Sequence, residues 1–122
     1  GVSAVIERDM DCTPLGLPLY VSPGDEEQMI VCQTKHDSLY VCGTGDSFSV
    51  PHINYQICEM EAYALAKVAT KFGIPFDCYK YISDSDSDGE DQGNQWRENV
   101  SKGAELFRKT ILTKKEQLEW VW

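Results

Sequence analysis

The stretch EMEAYALAKVATKFGIP, residues 59–75, carries the clearest structural signal in the sequence. From Glu61 onward its apolar residues recur at helical spacing and include several alanines, the strongest helix formers. The expected apolar face consists of Ala62, Leu65, Ala66, Val68 and Ala69. Gly73 and Pro75 then follow, and a glycine before a proline is typical of a helix C-terminus. The stretch predicts a helix that starts at Glu61 and stops within residues 72–75.

Runs with a preference for β structure lie on both sides of this helix. Upstream, residues 2–6, 29–32 and 39–42 predict three strands, because polar or proline-containing segments separate them. Downstream, residues 78–83 predict a fourth strand, so that strand, helix and strand form a βαβ unit with a parallel pair. Helical spacing over residues 94–112 predicts an amphipathic helix packed on the sheet. The fold class is therefore α/β, a βαβ-containing mixed sheet with flanking helices.

Length and charge limit the partners of this chain. Its 122 residues predict a single domain that spans residues 1–122. Twenty acidic against eleven basic residues give a net charge of −9, which disfavours binding to nucleic acid or to an anionic membrane. No apolar run approaches the roughly 20 residues that a transmembrane helix needs. We expect a soluble protein with no nucleic-acid partner and no membrane partner.

The cysteines indicate a reducing compartment. There are five, an odd number without any C-x-x-C pair, whereas a disulfide framework uses an even set and a zinc site uses close pairs. We therefore predict a cytoplasmic protein. Apolar or aromatic neighbours indicate that four of the cysteines are small core residues: Cys32, Cys42, Cys58 and Cys78.

Two partial motifs indicate neither a metal nor a cofactor. Residues 84–89 resemble the opening of an EF-hand calcium loop, but Gln95 stands where the bidentate glutamate belongs. We predict no metal site and a solvated acidic loop containing Asp86, Asp88, Glu90 and Asp91. The pair Gly43 and Gly45 lacks the third small residue of a dinucleotide-binding turn, because Phe48 stands there. No P-loop motif occurs, so we predict no cofactor.

Three sites next to predicted strand ends or the helix start carry ligand-binding groups: Phe48, Met60 with Glu61, and Ser83 with Asp84. In a parallel arrangement these sites face one crevice, where open α/β sheets bind ligands. An aromatic ring stacks on a flat ligand, Glu61 can accept hydrogen bonds from paired sugar hydroxyls, and a protonated Asp84 can donate to a ring nitrogen. The alternative is structural, with Glu61 as a helix N-terminal charge and Asp84 as a turn cap.

Four segments in a fixed order resemble a known family: GTGDSF (43–48), EMEAYALA (59–66), IPF (74–76) and KYISD (80–84). They are similar to the C-terminal half of the purine nucleoside phosphorylase and nucleosidase superfamily, with the closest resemblance to the 5′-methylthioadenosine/S-adenosylhomocysteine nucleosidase branch. The resemblance covers nearly the whole chain. It implies a shortened nucleoside phosphorylase-like fold.

The resemblance also implies roles for the site residues. Phe48 would stack on the base, Met60 and Glu61 would hold the ribose, and Asp84, with Ser83 beside it, would contact N7 of the purine. The implied substrate is a purine nucleoside, and the implied reaction cleaves its N-glycosidic bond. Asp84 would assist the departing purine, and Glu61 would stabilise the cationic ribosyl transition state.

Arg8 and Asp9 lie in a segment that resembles the part of the family reaching a neighbouring subunit, so they are candidates for a cross-subunit contact. This implies a homo-oligomer or a complementary N-terminal chain. The family's N-terminal βαβ portion, which carries the water-activating glutamate, has no match here. The expected function is therefore nucleosidase-like hydrolysis, with phosphorolysis as a variant. The alternatives are a non-catalytic nucleoside-binding or interaction module, or another chemistry that uses the acidic residues of segment 7–11.

Overall fold

The computed structural model separates the chain into two compact units, Gly1–Lys80 and Tyr81–Trp122. It describes residues 1–36, 39–48, 54–85, 89 and 91–119. Two short 3₁₀ helices, Thr13–Leu15 and Gln33–His36, belong to the first unit.

A mixed sheet of four strands forms the centre of the first unit. The strands are β1 (Ala4–Glu7), β2 (Ile30–Val31), β3 (Val41–Thr44) and β4 (Ile57–Glu59). Their order is β2-β1-β3-β4, in which β2 is antiparallel to β1 while β3 runs parallel to both β1 and β4. The mixed sheet and three of its strands confirm the sequence prediction. The sequence did not predict β4, because three residues are too few to show an alternating pattern.

The two faces of the sheet bury different groups, as successive side chains of a strand point to opposite sides. Val5 and Cys42 belong to a core cluster with Ala62 and Ala66 of helix α1, which spans Ala62–Lys71. On other positions of the same strands, Ile6 packs in a second cluster with Tyr20 and Tyr55. The sheet therefore has a helix-covered face and a face covered by tyrosines.

Helix α1 confirms the predicted helix, but its buried face matches the predicted face only in part. Ala62, Tyr63 and Ala66 are its buried residues, whereas Leu65 and Val68 are 59% and 57% exposed. The small alanines allow the helix backbone to lie close to the sheet, and the Tyr63 ring fills the space beside them. Gly73 ends the helix with φ +64°, a left-handed conformation that glycine adopts without strain.

The strand predicted over residues 78–83 is wrong. Residues 74–85 form neither helix nor strand. Two isolated hydrogen bonds hold Cys78 within the first unit instead. The N–H of Val2 donates to the carbonyl of Cys78 over 2.9 Å, and the N–H of Cys78 donates to the side-chain oxygen of Thr34 over 3.3 Å. Because a side chain takes the Cys78 donor, no ladder of backbone bonds forms. The parallel pairs of the sheet come from β1, β3 and β4.

The second unit contains two helices where the sequence predicted one over residues 94–112. Helix α2 spans Gln92–Asn99, and helix α3 spans Ala104–Glu119. Gly103 lies buried in the break, and an added Cβ there would stand 2.8 Å from Tyr81. The packing face expected for the single helix, which includes Trp96, Val100 and Ile111, is not buried as predicted, because these three side chains are exposed.

The buried cysteines confirm their predicted role as core residues. Cys32, Cys42 and Cys78 are buried, Cys58 is half-buried, and all five cysteines, which lie within the described residues, are outside disulfides. Burial raises the pKa of Cys32 to about 11 and also raises the pKa of Cys42 and Cys78, so these thiols stay protonated at neutral pH.

Among the described residues, no helix has the length and apolarity that crossing a membrane requires.

We predict that Gly43→Ala destabilises the first unit. An added Cβ would lie 2.7 Å from the Tyr55 ring, inside the second core cluster. Such overpacking should lower the free energy of unfolding by about 1–3 kcal/mol, measured by chemical denaturation followed by circular dichroism. Gly93→Ala is the control, because an added Cβ there meets nothing within 4 Å. Equal stability of the two variants would contradict the packing described for Tyr55.

Candidate functional site

Three parallel strands end side by side at one edge of the sheet. The N–H of Arg8, after β1, donates to the carbonyl of Thr44 over 2.9 Å, and the N–H of Gly45, after β3, donates to the carbonyl of Glu59 over 3.0 Å. We call this the carboxyl edge, and it comprises residues 7–9, 44–48 and 59–61. Parallel α/β sheets bind ligands at such edges.

The carboxyl edge brings together the predicted residues of the first unit. Phe48 follows the glycine turn after β3, and Met60 and Glu61 connect β4 to α1. All three side chains reach solvent: Phe48 is 50% exposed, Met60 is 43% exposed, and Glu61 is exposed. An aromatic face and a carboxylate are therefore accessible from solvent on neighbouring connections.

Arg8 and Asp9 hydrogen-bond to the backbone of residues 43–47, which form the end of β3 and the glycine turn after it. The buried guanidinium of Arg8 donates to the carbonyl of Gly43 over 3.2 Å and to that of Ser47 over 2.6 Å. It also donates to Asp9 over 3.2 Å. Asp9 in turn accepts the N–H of Asp46 over 2.5 Å. These contacts lie within one chain and fix the turn that presents Phe48, while the cross-subunit role stays a prediction.

Gly45 is the position in this turn where a side chain has no room. An added Cβ at Gly45 would overlap the Asp9 carboxylate. The glycine therefore permits the close approach through which Asp9 reaches the backbone of the turn.

Glu59 is a residue of the carboxyl edge that the sequence did not indicate as part of the candidate site. Its side chain is only 10% exposed, and Lys80 Nζ lies 3.0 Å from its Oε2. The same oxygen accepts the N–H groups of Glu61 and Ala62 over 2.8 and 2.7 Å, and the hydroxyl of Thr44 donates to Oε1. Its position two residues before the predicted helix start was the available signal. Without β4, nothing in the sequence indicated that it faces Thr44.

Both members of this ion pair are charged at neutral pH. Burial opposes ionisation of Glu59, but the hydrogen bonds from Thr44, Glu61 and Ala62 and the charge of Lys80 outweigh it, so its pKa lies below the ordinary value of 4.5. For Lys80, burial likewise opposes the charge, and the contact with Glu59 raises the pKa above 10.5. A buried charge is stable here because each partner neutralises the other.

Ser83 and Asp84 belong to the second unit, where both are half-buried. The Ser83 hydroxyl donates to Asp84 Oδ1 over 2.6 Å, and the Gln92 side chain donates to Oδ2 over 2.8 Å. Asn99 donates to the carbonyl of Ser83 over 2.9 Å. The Asp84 carboxylate is thus oriented by residues from α2 and from its own segment.

The predicted acidic loop lies mostly outside the described residues, which exclude Asp86, Asp88 and Glu90; Asp91 is exposed. In the part of the chain that the structure describes, no three His, Cys, Asp or Glu side chains are grouped to hold a metal ion.

The chain belongs to the Phosphorylase superfamily, whose sequence model matches residues 37–113, more than half of the chain. This confirms the family resemblance inferred from the four segments. The matched range includes every substrate residue that the resemblance implied, from Phe48 to Asp84. No curated protein matches the chain.

Two solved structures share the fold. The first is a mutant of futalosine hydrolase from Helicobacter pylori strain 26695, with a TM-score of 0.61 and 18% identity over 93% of this chain and 58% of that one. The second is the 5′-methylthioadenosine/S-adenosyl homocysteine nucleosidase of Campylobacter jejuni, with a TM-score of 0.51 and 21% identity over 81% of this chain and 56% of that one. The chain therefore spans less than two thirds of either protein.

We predict that Arg8→Lys destabilises the first unit. The three N–H donors of a lysine sit on a single nitrogen, so lysine lacks the planar fork with which Arg8 Nε and Nη2 reach the Gly43 and Ser47 carbonyls together. The free energy of unfolding should fall by about 1–3 kcal/mol, measured by chemical denaturation. Arg97→Lys, on the exposed surface of α2, is the matched control and should change it by less than about 0.5 kcal/mol. An equal free energy of unfolding for the two variants would contradict the contacts described for Arg8.

We also predict a pH-dependent contribution from Glu59. Its folded-state pKa lies below the unfolded value near 4.5, so its ionised form stabilises the fold above that pH. The contribution is lost as the pH falls through the lowered pKa. The free energy of unfolding of Glu59→Gln should therefore be lower than that of the unmodified chain by roughly 1–3 kcal/mol at neutral pH, and this difference should shrink below pH 4.5. A difference that stays constant with pH in denaturant titrations would contradict it.

Proposed function

We propose that this chain forms the base and ribose site of a cytoplasmic enzyme that hydrolyses the N-glycosidic bond of a purine nucleoside, with 5′-methylthioadenosine or S-adenosylhomocysteine as the substrate type. One observation carries the proposal. Within the range matched by the superfamily, an exposed Phe48 and an exposed Glu61 stand on neighbouring connections of the carboxyl edge.

The accessible groups suit the two parts of a nucleoside. The flat face of a purine stacks on an aromatic ring, for which the half-exposed Phe48 is available. Ribose presents two adjacent hydroxyl donors, and a carboxylate accepts both, which is the role proposed for Glu61. Met60, 43% exposed, supplies an apolar surface for the sugar ring.

The proposed reaction breaks the bond between the ribose carbon C1′ and the purine nitrogen N9. The bonding electrons move into the purine, whose N7 receives a proton or a hydrogen bond from the protonated carboxyl group of Asp84, and the positive charge that develops on the ribose is stabilised by Glu61. Water adds to C1′, and its proton leaves to a base. Ser83 orients the Asp84 carboxyl group through the hydrogen bond of 2.6 Å from its hydroxyl to Oδ1.

We propose that the groups that activate the water come from another subunit of a homo-oligomer or from a complementary N-terminal chain. The chain spans 58% and 56% of the two solved structures, and this supports the need for such a partner. The exposure of Phe48, Met60 and Glu61 equally suits a second candidate function, a non-catalytic module that binds a purine nucleoside and cleaves nothing.

We predict that the purified chain releases adenine from 5′-methylthioadenosine without added phosphate, and that Asp84→Asn reduces this release by about 10²–10⁴-fold. Asparagine has nearly the same shape, so the fold should remain. The measurement is chromatography of the products, with and without phosphate, together with the native mass. Asp91→Asn, at an exposed position before α2, is the matched control and should retain the activity.

Full release by Asp84→Asn would contradict the proposed role, and release that requires phosphate would indicate phosphorolysis. Calorimetry separates the second candidate. Nucleoside binding without any adenine released over hours would support the non-catalytic module.

A further inference from the structure

Helix α1 starts without a hydrogen bond from its own N-cap side chain. Glu61 stands at the N-cap position, with φ −134° and ψ −25°, yet its side chain makes no capping hydrogen bond. The first N–H groups of a helix need acceptors, which usually come from the N-cap side chain. In this chain the N–H of Ala62 donates to Glu59 over 2.7 Å, and the N–H of Tyr63 donates to the Thr44 hydroxyl over 2.8 Å.

We propose that Thr44 and Glu59 are positioning residues that cap α1 in place of Glu61 and so keep the Glu61 carboxylate available to the sugar hydroxyls of a nucleoside. The choice of a nucleoside as the ligand of Glu61 rests on the proposed function. The capping itself rests only on the geometry of the first unit.

The register of the sheet places this pair. Thr44 is the last residue of β3 and lies directly opposite Glu59, the last residue of β4. Both point to the face that α1 covers, since each bonds an N–H of that helix. The Thr44 hydroxyl donates its proton to Glu59 and accepts the N–H of Tyr63, so one group joins two strands and a helix.

The Glu59 carboxylate is saturated by these contacts. One oxygen takes the Thr44 hydroxyl, and the other takes Lys80 and two backbone N–H groups. With its side chain 10% exposed, Glu59 has little access to a ligand. Its function is therefore to fix the connection on which Met60 and Glu61 stand.

This division of roles has a consequence for binding. A Glu61 carboxylate that capped the helix would have to leave the backbone before it could accept a sugar hydroxyl. With the cap supplied by buried neighbours, Glu61 does not have to break such a bond, and binding loses less free energy to reorganisation.

The test combines amide hydrogen exchange with calorimetry on the full chain. The variants are Thr44→Val, which removes the hydroxyl at nearly constant shape, Thr44→Ser, which restores it, and Glu59→Gln. Thr70→Val is the control, because it removes a hydroxyl of α1 that bonds only within the helix, to the carbonyl of Ala66. The ligands are 9-deazaadenosine, whose carbon–carbon glycosidic bond cannot be hydrolysed, and its 2′,3′-dideoxy counterpart.

We expect Thr44→Val to speed exchange of the Tyr63 amide and Glu59→Gln to speed exchange of the Glu61 and Ala62 amides. Both should weaken binding of 9-deazaadenosine by roughly tenfold, the equivalent of one charge-assisted hydrogen bond, and leave binding of the dideoxy ligand unchanged. Thr44→Ser should restore both properties, and Thr70→Val should alter neither. If Thr44 and Glu59 only stabilised the fold, their substitution would weaken the binding of both ligands equally.

Unchanged exchange of these amides in Thr44→Val and Glu59→Gln would overturn the capping. Faster exchange with an unchanged preference for the sugar hydroxyls would overturn the positioning of Glu61. If the unmodified chain binds neither ligand, the proposed function fails, and the exchange data alone then decide whether Thr44 and Glu59 cap the helix.

Discussion

The hydrogen bond from the Thr44 hydroxyl to the Glu59 carboxylate is the contact on which the candidate site depends. It joins the ends of two parallel strands and, through the adjoining N–H groups, the first turn of α1. Lys80 supplies the charge that makes a buried carboxylate tolerable. Because these groups are saturated by each other, the connection between strand and helix has one arrangement, and the residues on it are held in place.

The same design recurs at the neighbouring connection. Arg8 is buried, and its fork of donors serves two carbonyls of the glycine turn, while Asp9 accepts an N–H from the turn. In both places the hydrogen bonds of a buried charged residue are taken up within the fold, and an exposed residue lies on the same connection. Phe48 and Glu61 thus belong to a common arrangement in which paired charges support exposed side chains. Two solved structures share the fold of this chain. Because one fold can host different functions, the function depends on the residues at the carboxyl edge.

The position of three residues at the carboxyl edge could be predicted, and the part of this edge that could not be predicted has a physical cause. Phe48, Met60 and Glu61 were expected at one edge because the carboxyl ends of parallel strands lie together, and the structure places their connections side by side. Glu59 was not predicted, because its contacts depend on its pairing with Thr44 and the strand that carries it has only three residues. The contacts of Arg8 within the chain were not predicted for a similar reason, because the carbonyls that it bonds are 35 and 39 residues away in sequence.

The sequence by itself determined α1, three of the strands, the buried cysteines and membership in the superfamily, because helical spacing, apolar runs and motif order are local properties of a chain. Tertiary structure alone decided which face of α1 is buried, since Tyr63 and two alanines fit against the sheet while Leu65 does not. It also decided that residues 78–83 form no strand and that the last helical segment breaks at Gly103, where Tyr81 occupies the space of a side chain. These outcomes depend on partners distant in sequence, and periodicity carries no information about them.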